Sequence, residues 1–189
     1  GTADACGPFT ATVSPNTFTC ANVGANTVTF TATDASGNSS TCSATVTVQD
    51  LIAPVALCQP VTVQLNSAGN GSTNASAVNN GSSDACGIGT TTLNNSSFTC
   101  ANVAGPNTVI LTVTDVNGNS STCSAAVTVQ DNIAPIAICQ PVTVQLNSAG
   151  NGSTTASAVN NGSTDACGIR SAARNDGNES RARWAPPHT

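Results

Sequence analysis

The chain has 189 residues, a formal net charge of −5 and only 7% charged residues, and its four basic residues are Arg170, Arg174, Arg181 and Arg183. Residues 1 to 169 contain no Lys, Arg, Glu or His, so that stretch cannot hold phosphates, which excludes nucleic-acid binding and attraction to anionic lipid. No apolar run reaches the length of a transmembrane helix, which argues against membrane insertion.

Residues 1–50 carry a DACG motif at Cys6 and FTCANV at Phe18 to Val23. There follows an alternating run in which Val28, Phe30 and Ala32 are separated by Thr29 and Thr31. A D-x-x-G-N turn opens at Asp34, and a second Val/Thr run ends in VTVQD at Asp50. Residues 51–131 begin with Val61, Val63 and Leu65 alternating with Thr62 and Gln64, and continue through turn formers at 67–71 and 79–81. DACG returns at Cys86, FTCANV at Phe98, and the alternation at Val109, Leu111 and Val113. The D-x-x-G-N turn recurs at Asp115, and Val127 and Val129 lead to Asp131. Residues 132–169 restate 51–88 with five differences in 38 positions. Period-two alternation rich in Val and Thr, broken by Asn-Gly turns, predicts half-buried antiparallel strands.

The period from Asp50 to Asp131 is 81 residues, and self-similarity at a fixed spacing marks a repeat array. The phase places one complete repeat at 51–131, the back part of another at 1–50 and the front part of a third at 132–169. Such a window is expected to begin inside a longer precursor with its export signal upstream. The pattern stops at residue 170. The tail 170–189 holds the only Glu, Trp and His and reads either as an out-of-frame or artificial segment or as a terminal adaptor. Six to eight short strands per repeat predict an all-β fold of tandem immunoglobulin-like β-sandwich repeats.

Nine cysteines recur in a region without His, a pattern that favours disulfides over zinc and an oxidising, extracellular location. Catalysis is not expected. A nucleophile would need a base, and the single His188 lies in the tail; the Asp residues stand singly and far apart. The absence of Lys also rules out Lys–Asn isopeptide bonds.

Three elements resemble the hyalin repeat (HYR) family, immunoglobulin-like modules of bacterial extracellular and surface proteins. They are D-x-x-APVALCQPVTV from Asp50, SDACG from Ser83 and TVTDVNGNSSTCSAAVTVQD from Thr112, and the resemblance covers residues 1–169. One departure is the approach to the penultimate strand, ANVGANTV in one copy and ANVAGPNTV in the next. The resemblance implies adhesion or extracellular architecture without catalytic residues. It also implies a bridge from Cys58 to Cys123 and local bridges Cys86–Cys100 and Cys6–Cys20. A competing connectivity joins Cys42 to Cys58 and Cys123 to Cys139 across the repeat boundary. If it does not form, Cys42 and Cys139 are left to pair between copies, and Cys167 lacks a partner.

Asp34 and Asp115 open turns that an Asp side chain can cap, while Asp50 and Asp131 stand at the repeat boundaries. Capping is one reading of these four; Ca²⁺ held by the acids with backbone carbonyls is the other. Asn38, Asn70, Asn74, Asn80, Asn94, Asn95, Asn119, Asn151 and Asn161 begin Asn-x-Ser sequons, with Asn178 in the tail, and are acceptors for glycans or simply turn formers. The expected function is structural: a repeat module of a surface stalk, or a filament subunit that stacks linearly on copies of itself, by strand complementation in one version. The rival is an adhesive or carbohydrate-binding module, against which the repeat's lack of Trp and Tyr counts.

Overall fold

Val/Thr alternation makes strands where the apolar side can be covered and the polar side can face water. In the computed structural model, which describes residues 9–169, the first runs form β1 (Thr10–Ser14), β2 (Gly24–Thr33) and β3 (Ser39–Val48), antiparallel in the order β1-β2-β3. The register sets Val13 opposite Phe30, and Phe30 opposite Cys42. The β2–β3 turn closes on Asp34, whose Oδ1 accepts the N–H groups of Ser36 and Asn38 at 2.9 and 2.8 Å.

The complete repeat supplies β4 (Val61–Gln64), β5 (Asn70–Ser72), a single helical turn α1 (Ala75–Val78), β6 (Ile88–Leu93), β7 (Ser97–Thr99), β8 (Asn107–Asp115) and β9 (Ser120–Gln130). One sheet has the order β4-β9-β8-β6, and β5 pairs with β7 in a second. By sequence, β6, β8 and β9 correspond to β1, β2 and β3. The complete repeat thus adds β4 beside its last strand, where β3 is left as an edge. The helical turn is capped by Asn74, whose Oδ1 accepts the Ala77 N–H at 2.9 Å. The one-residue insertion in ANVAGPNTV is absorbed at Ala104, which takes the left-handed conformation (φ 65°).

Alternate side chains along the strands are buried: Val109, Leu111 and Val113 on β8, and Ala125, Val127 and Val129 on β9. Val63, Leu65, Val78 and Phe98 are buried as well. Each such aliphatic or Phe side chain contributes about 1.5–3 kcal/mol relative to exposure. The fold is an all-β antiparallel sandwich, as the alternation predicts.

Contacts divide the chain into two compact units. The first comprises residues up to 61 with 74–96 and 108–126; the second comprises 62–73, 97–107 and the residues from 127 onward. The second unit includes the front part 132–169, where a helical turn α2 (Ala156–Val159) forms. The residues 142–145 and 151–153, counterparts of β4 and β5, form no strand there. The tail 170–189 and Cys6 lie outside the described residues.

Candidate functional site: the junctions between repeats

Where one repeat meets the next, two short motifs present cysteines. In FTCAN the Asn side chain folds back on the turn: Asn22 Oδ1 accepts the Thr19 N–H, and Asn102 Oδ1 accepts the Thr99 N–H, both at 2.9 Å. This closes a 3-10 turn beginning at Cys20 or Cys100. In DACG the Asp caps its own turn. Asp84 Oδ1 accepts the N–H groups of Cys86 and Gly87 at 2.7 and 3.2 Å, and Asp165 Oδ1 accepts that of Cys167 at 2.8 Å. Gly87 and Gly168 sit at positive φ (107° and 92°), which a glycine adopts without steric cost.

These motifs bond across repeats. Cys20 is bonded to Cys86 and Cys100 to Cys167, with Cα atoms 5.2 and 5.0 Å apart, within the range of relaxed disulfides. The local bridge Cys86–Cys100 implied by the family resemblance is therefore not formed. Cys86 and Cys100 are separated by β6, which pairs with β8, and β7, which pairs with β5 in another sheet, and each is bonded to a cysteine of another repeat. Cys6–Cys20 is likewise not formed, because Cys20 is bonded elsewhere. Cys167 has Cys100 as its partner. Within the repeat Cys58 is bonded to Cys123, Cα atoms 5.8 Å apart, which excludes the competing Cys42–Cys58 and Cys123–Cys139 pairs. Cys42 and Cys139 are free and exposed.

Packing at the second junction explains a buried glycine. Gly69 has φ +74°, and a Cβ placed on it would stand 2.6 Å from Cys100 Sγ and 3.3 Å from Ala166 Cβ. Only a residue without a side chain lets the disulfide and the following DACG turn approach this backbone.

The four acids considered for Ca²⁺ fall into two pairs. Asp34 and Asp115 are turn caps. Asp115 Oδ1 accepts the N–H groups of Asn117 and Asn119 at 2.9 and 2.8 Å, and its Oδ2 accepts from Asn119 Nδ2 at 2.8 Å. Asp34 has the same set, with Asn38 Nδ2 on Oδ2. Both carboxyls are held below the ordinary value of 3.8. For Asp34 the cause is chiefly the Asn38 side chain, followed by the Asn38 N–H. For Asp115 burial, the largest single influence, pushes up, and the hydrogen bonds from Asn119 and its turn together outweigh it.

Asp50 and Asp131 also cap, each Oδ1 accepting the N–H two residues on at 3.1 Å. Each additionally approaches a DACG acid that sequence reading left out. Oxygens of Asp50 and Asp84 lie within 4.8 Å of each other and of Cys86 Sγ, and Asp131, Asp165 and Cys167 repeat the arrangement. Asp50 Oδ2 is buried without a hydrogen-bond partner. The sulfurs belong to disulfides, so each group offers two carboxylates, a minority of the roughly six to eight oxygens that Ca²⁺ takes.

Eight of the nine sequon asparagines before the tail are exposed, and Asn119 is half-buried. Both amide protons of Asn119 are engaged, by Asp115 Oδ2 and by the Asp50 carbonyl at 3.1 Å, so a glycan there would break the turn.

Fold and bonds together define a disulfide-stapled β-sandwich repeat. Residues 9–48 match the family model of the HYR domain, and residues 89–129 restate that stretch. No curated protein matches the chain. The HYR domain is an extracellular-type domain, and three disulfides fit that location. No helix among the described residues is long and apolar enough to cross a membrane.

Proposed function

We propose that the chain is a non-catalytic structural module of an extracellular stalk or filament, in which sandwich repeats stack linearly. The observation that carries this reading is the recurrence of one bond at both junctions: the FTCAN cysteine of each repeat is tied to the DACG cysteine of the next. In a repeat array each unit contacts only its neighbours, so a covalent tie at every junction fixes the spacing that a uniform stalk requires. Residues 9–169 contain no Lys, Arg, His or Glu, so the His that most often activates a Ser or Cys nucleophile is absent from them. The exposed sequons suit a coat of covalent glycans.

Small-angle scattering and electron microscopy of the oxidised and reduced chain test this. Oxidised protein is expected as rods of one length. Reduction, or Cys100→Ser with Cys167→Ser, should give bent particles with a broad range of lengths. Identical profiles with and without reductant would sink the reading, and selective binding to an oligosaccharide would favour the adhesive one.

A further inference from the structure

Residues 9–169 contain no Lys, Arg or His, so no side chain there can neutralise a carboxylate. Where two acids meet, their charge has to be balanced by something other than this chain. They meet beside the junction cysteines. Carboxylate oxygens of Asp50 and Asp84 lie within 4.8 Å of each other, and those of Asp131 and Asp165 repeat the approach 81 residues further on.

The first pair is held in place on both sides. Asp50 Oδ1 accepts the Ile52 N–H at 3.1 Å, and the Asp50 carbonyl accepts Asn119 Nδ2 at 3.1 Å. Asp84 Oδ1 accepts the N–H groups of Cys86 and Gly87, and Cys86 is fixed by its bond to Cys20. The backbone thus occupies one oxygen of each carboxylate and leaves the other. Asp50 Oδ2 is closed off from solvent and receives no hydrogen bond, which is costly for a charged oxygen unless a positive group faces it. Asp50 and Asp84 line one hollow, together with Ile52, Val55 and Ser83. The counterpart of Ser83 is Thr164, which keeps the hydroxyl.

We propose that each of these acid pairs holds a calcium ion, one between Asp50 and Asp84 and one between Asp131 and Asp165. The donors select the ion. They are oxygens alone, because the adjacent sulfurs of Cys86 and Cys167 are engaged in disulfides and His is absent, which sets zinc and copper aside. Mg²⁺ demands a near-ideal octahedron and gives up water reluctantly, whereas Ca²⁺ accepts irregular sets of carboxylate, carbonyl and water oxygens. Two carboxylates supply the charge, and water with backbone carbonyls fills the remaining positions. So low a charge count places the affinity among extracellular calcium modules, with Kd about 0.1–1 mM. Asp34 and Asp115 take no part, since both oxygens of each are filled by their own turns. The site is defined by these residues and does not rest on the stalk reading.

Equilibrium dialysis of the whole oxidised chain against radioactive calcium tests the proposal. Two ions per chain are expected, half-bound at about 0.1–1 mM. Asp84→Asn and Asp165→Asn keep the Oδ1 that caps the turn, and each should weaken one ion at least tenfold. The double variant should lose both ions, and Asp34→Asn should keep both. Mass mapping of the Cys20–Cys86 and Cys100–Cys167 peptides establishes that the variants still form their junction bonds. The proposal is overturned by no binding at about 10 mM Ca²⁺, by an unchanged ion count in the double variant, or by displacement of the bound calcium by an equal concentration of Mg²⁺.

Discussion

Residues 59–73 and 140–154 have the same fifteen-residue sequence, QPVTVQLNSAGNGST, and differ in structure. Some features occur in both. The Asn66 turn, in which Oδ1 accepts the N–H groups of Ala68 and Asn70 at 2.9 and 3.1 Å, is matched by Asn147 with Ala149 and Asn151 at 2.9 and 3.0 Å. Just downstream, Ser82 Oγ accepts the Leu57 N–H and Ser163 Oγ that of Ile138, at 3.0 and 2.9 Å. Isolated bridges link Val55 to Ser83 and Ile136 to Thr164. What differs is the pairing with a distant strand, and with it β4, β5 and the burial of Val63 and Leu65. Turns and caps are encoded within a few residues, whereas β4 and β5 pair with strands far along the chain, β9 and β7.

That contrast can be broken by experiment, and the largest effect should come from the long bridge. Replacing Cys58 and Cys123 by Ser should lower unfolding free energy by about 4 kcal/mol for a loop of 65 residues, whereas Cys139→Ser should change nothing. Urea unfolding of both variants measures this, and equal midpoints would contradict it. Next in size is Leu65→Ala, expected to cost about 2–5 kcal/mol for a fully buried leucine. Leu146→Ala should stay within about 0.5 kcal/mol. Similar losses at the two sites would mean that 132–169 is packed in solution.

Gly71→Ala should cost about 1–3 kcal/mol, because a Cβ there meets Val63 Cγ1 at 2.6 Å and the Gln64 carbonyl at 2.9 Å. Gly152→Ala presents the same neighbours, Val144 and Leu146, but those side chains are exposed and can give way, so thermal melts should show a smaller loss.

The smallest expected effect is acid sensitivity. The folded Asp34 and Asp115 carboxyls titrate below 3.8 and the unfolded ones at 3.8. Their stabilisation is therefore complete above pH 3.8 and is lost as pH falls through the lowered folded values. Melting temperature followed from pH 6 down to pH 2 should fall at the acid end, and Asp115→Asn should flatten that fall. An unchanged acid limb in the variant would remove the capping account.

The sequence was informative where the physics is local. Alternation at Val109, Leu111 and Val113 marks β8, and the D-x-x-G-N turns mark the hairpins. Disulfide partners were legible only in part, because a cysteine's motif says what presents it and not what it faces. Cys20 and Cys86 lie 66 residues apart and belong to different repeats. Asp84 and Asp165 had a readable signal, an Asp two residues before a Cys-Gly pair, which is the pattern of an Asx turn. Gly69 did not. Its turn was visible in Ser67 to Gly71, but the sulfur lying against it was not.

The three bridges overlap in sequence: 20–86, 58–123 and 100–167. A protease that cuts the backbone once anywhere between residues 20 and 167 therefore leaves the molecule in one covalent piece. Under tension the shortest covalent route passes through sulfur at Cys20–Cys86 and again at Cys100–Cys167. Between those bonds only the backbone from residue 86 to residue 100 can pay out, about 50 Å at full extension. A chain held in this way behaves under load as a short tether with a fixed stop, and the residues inside the 20–86 and 100–167 loops are spared the pull.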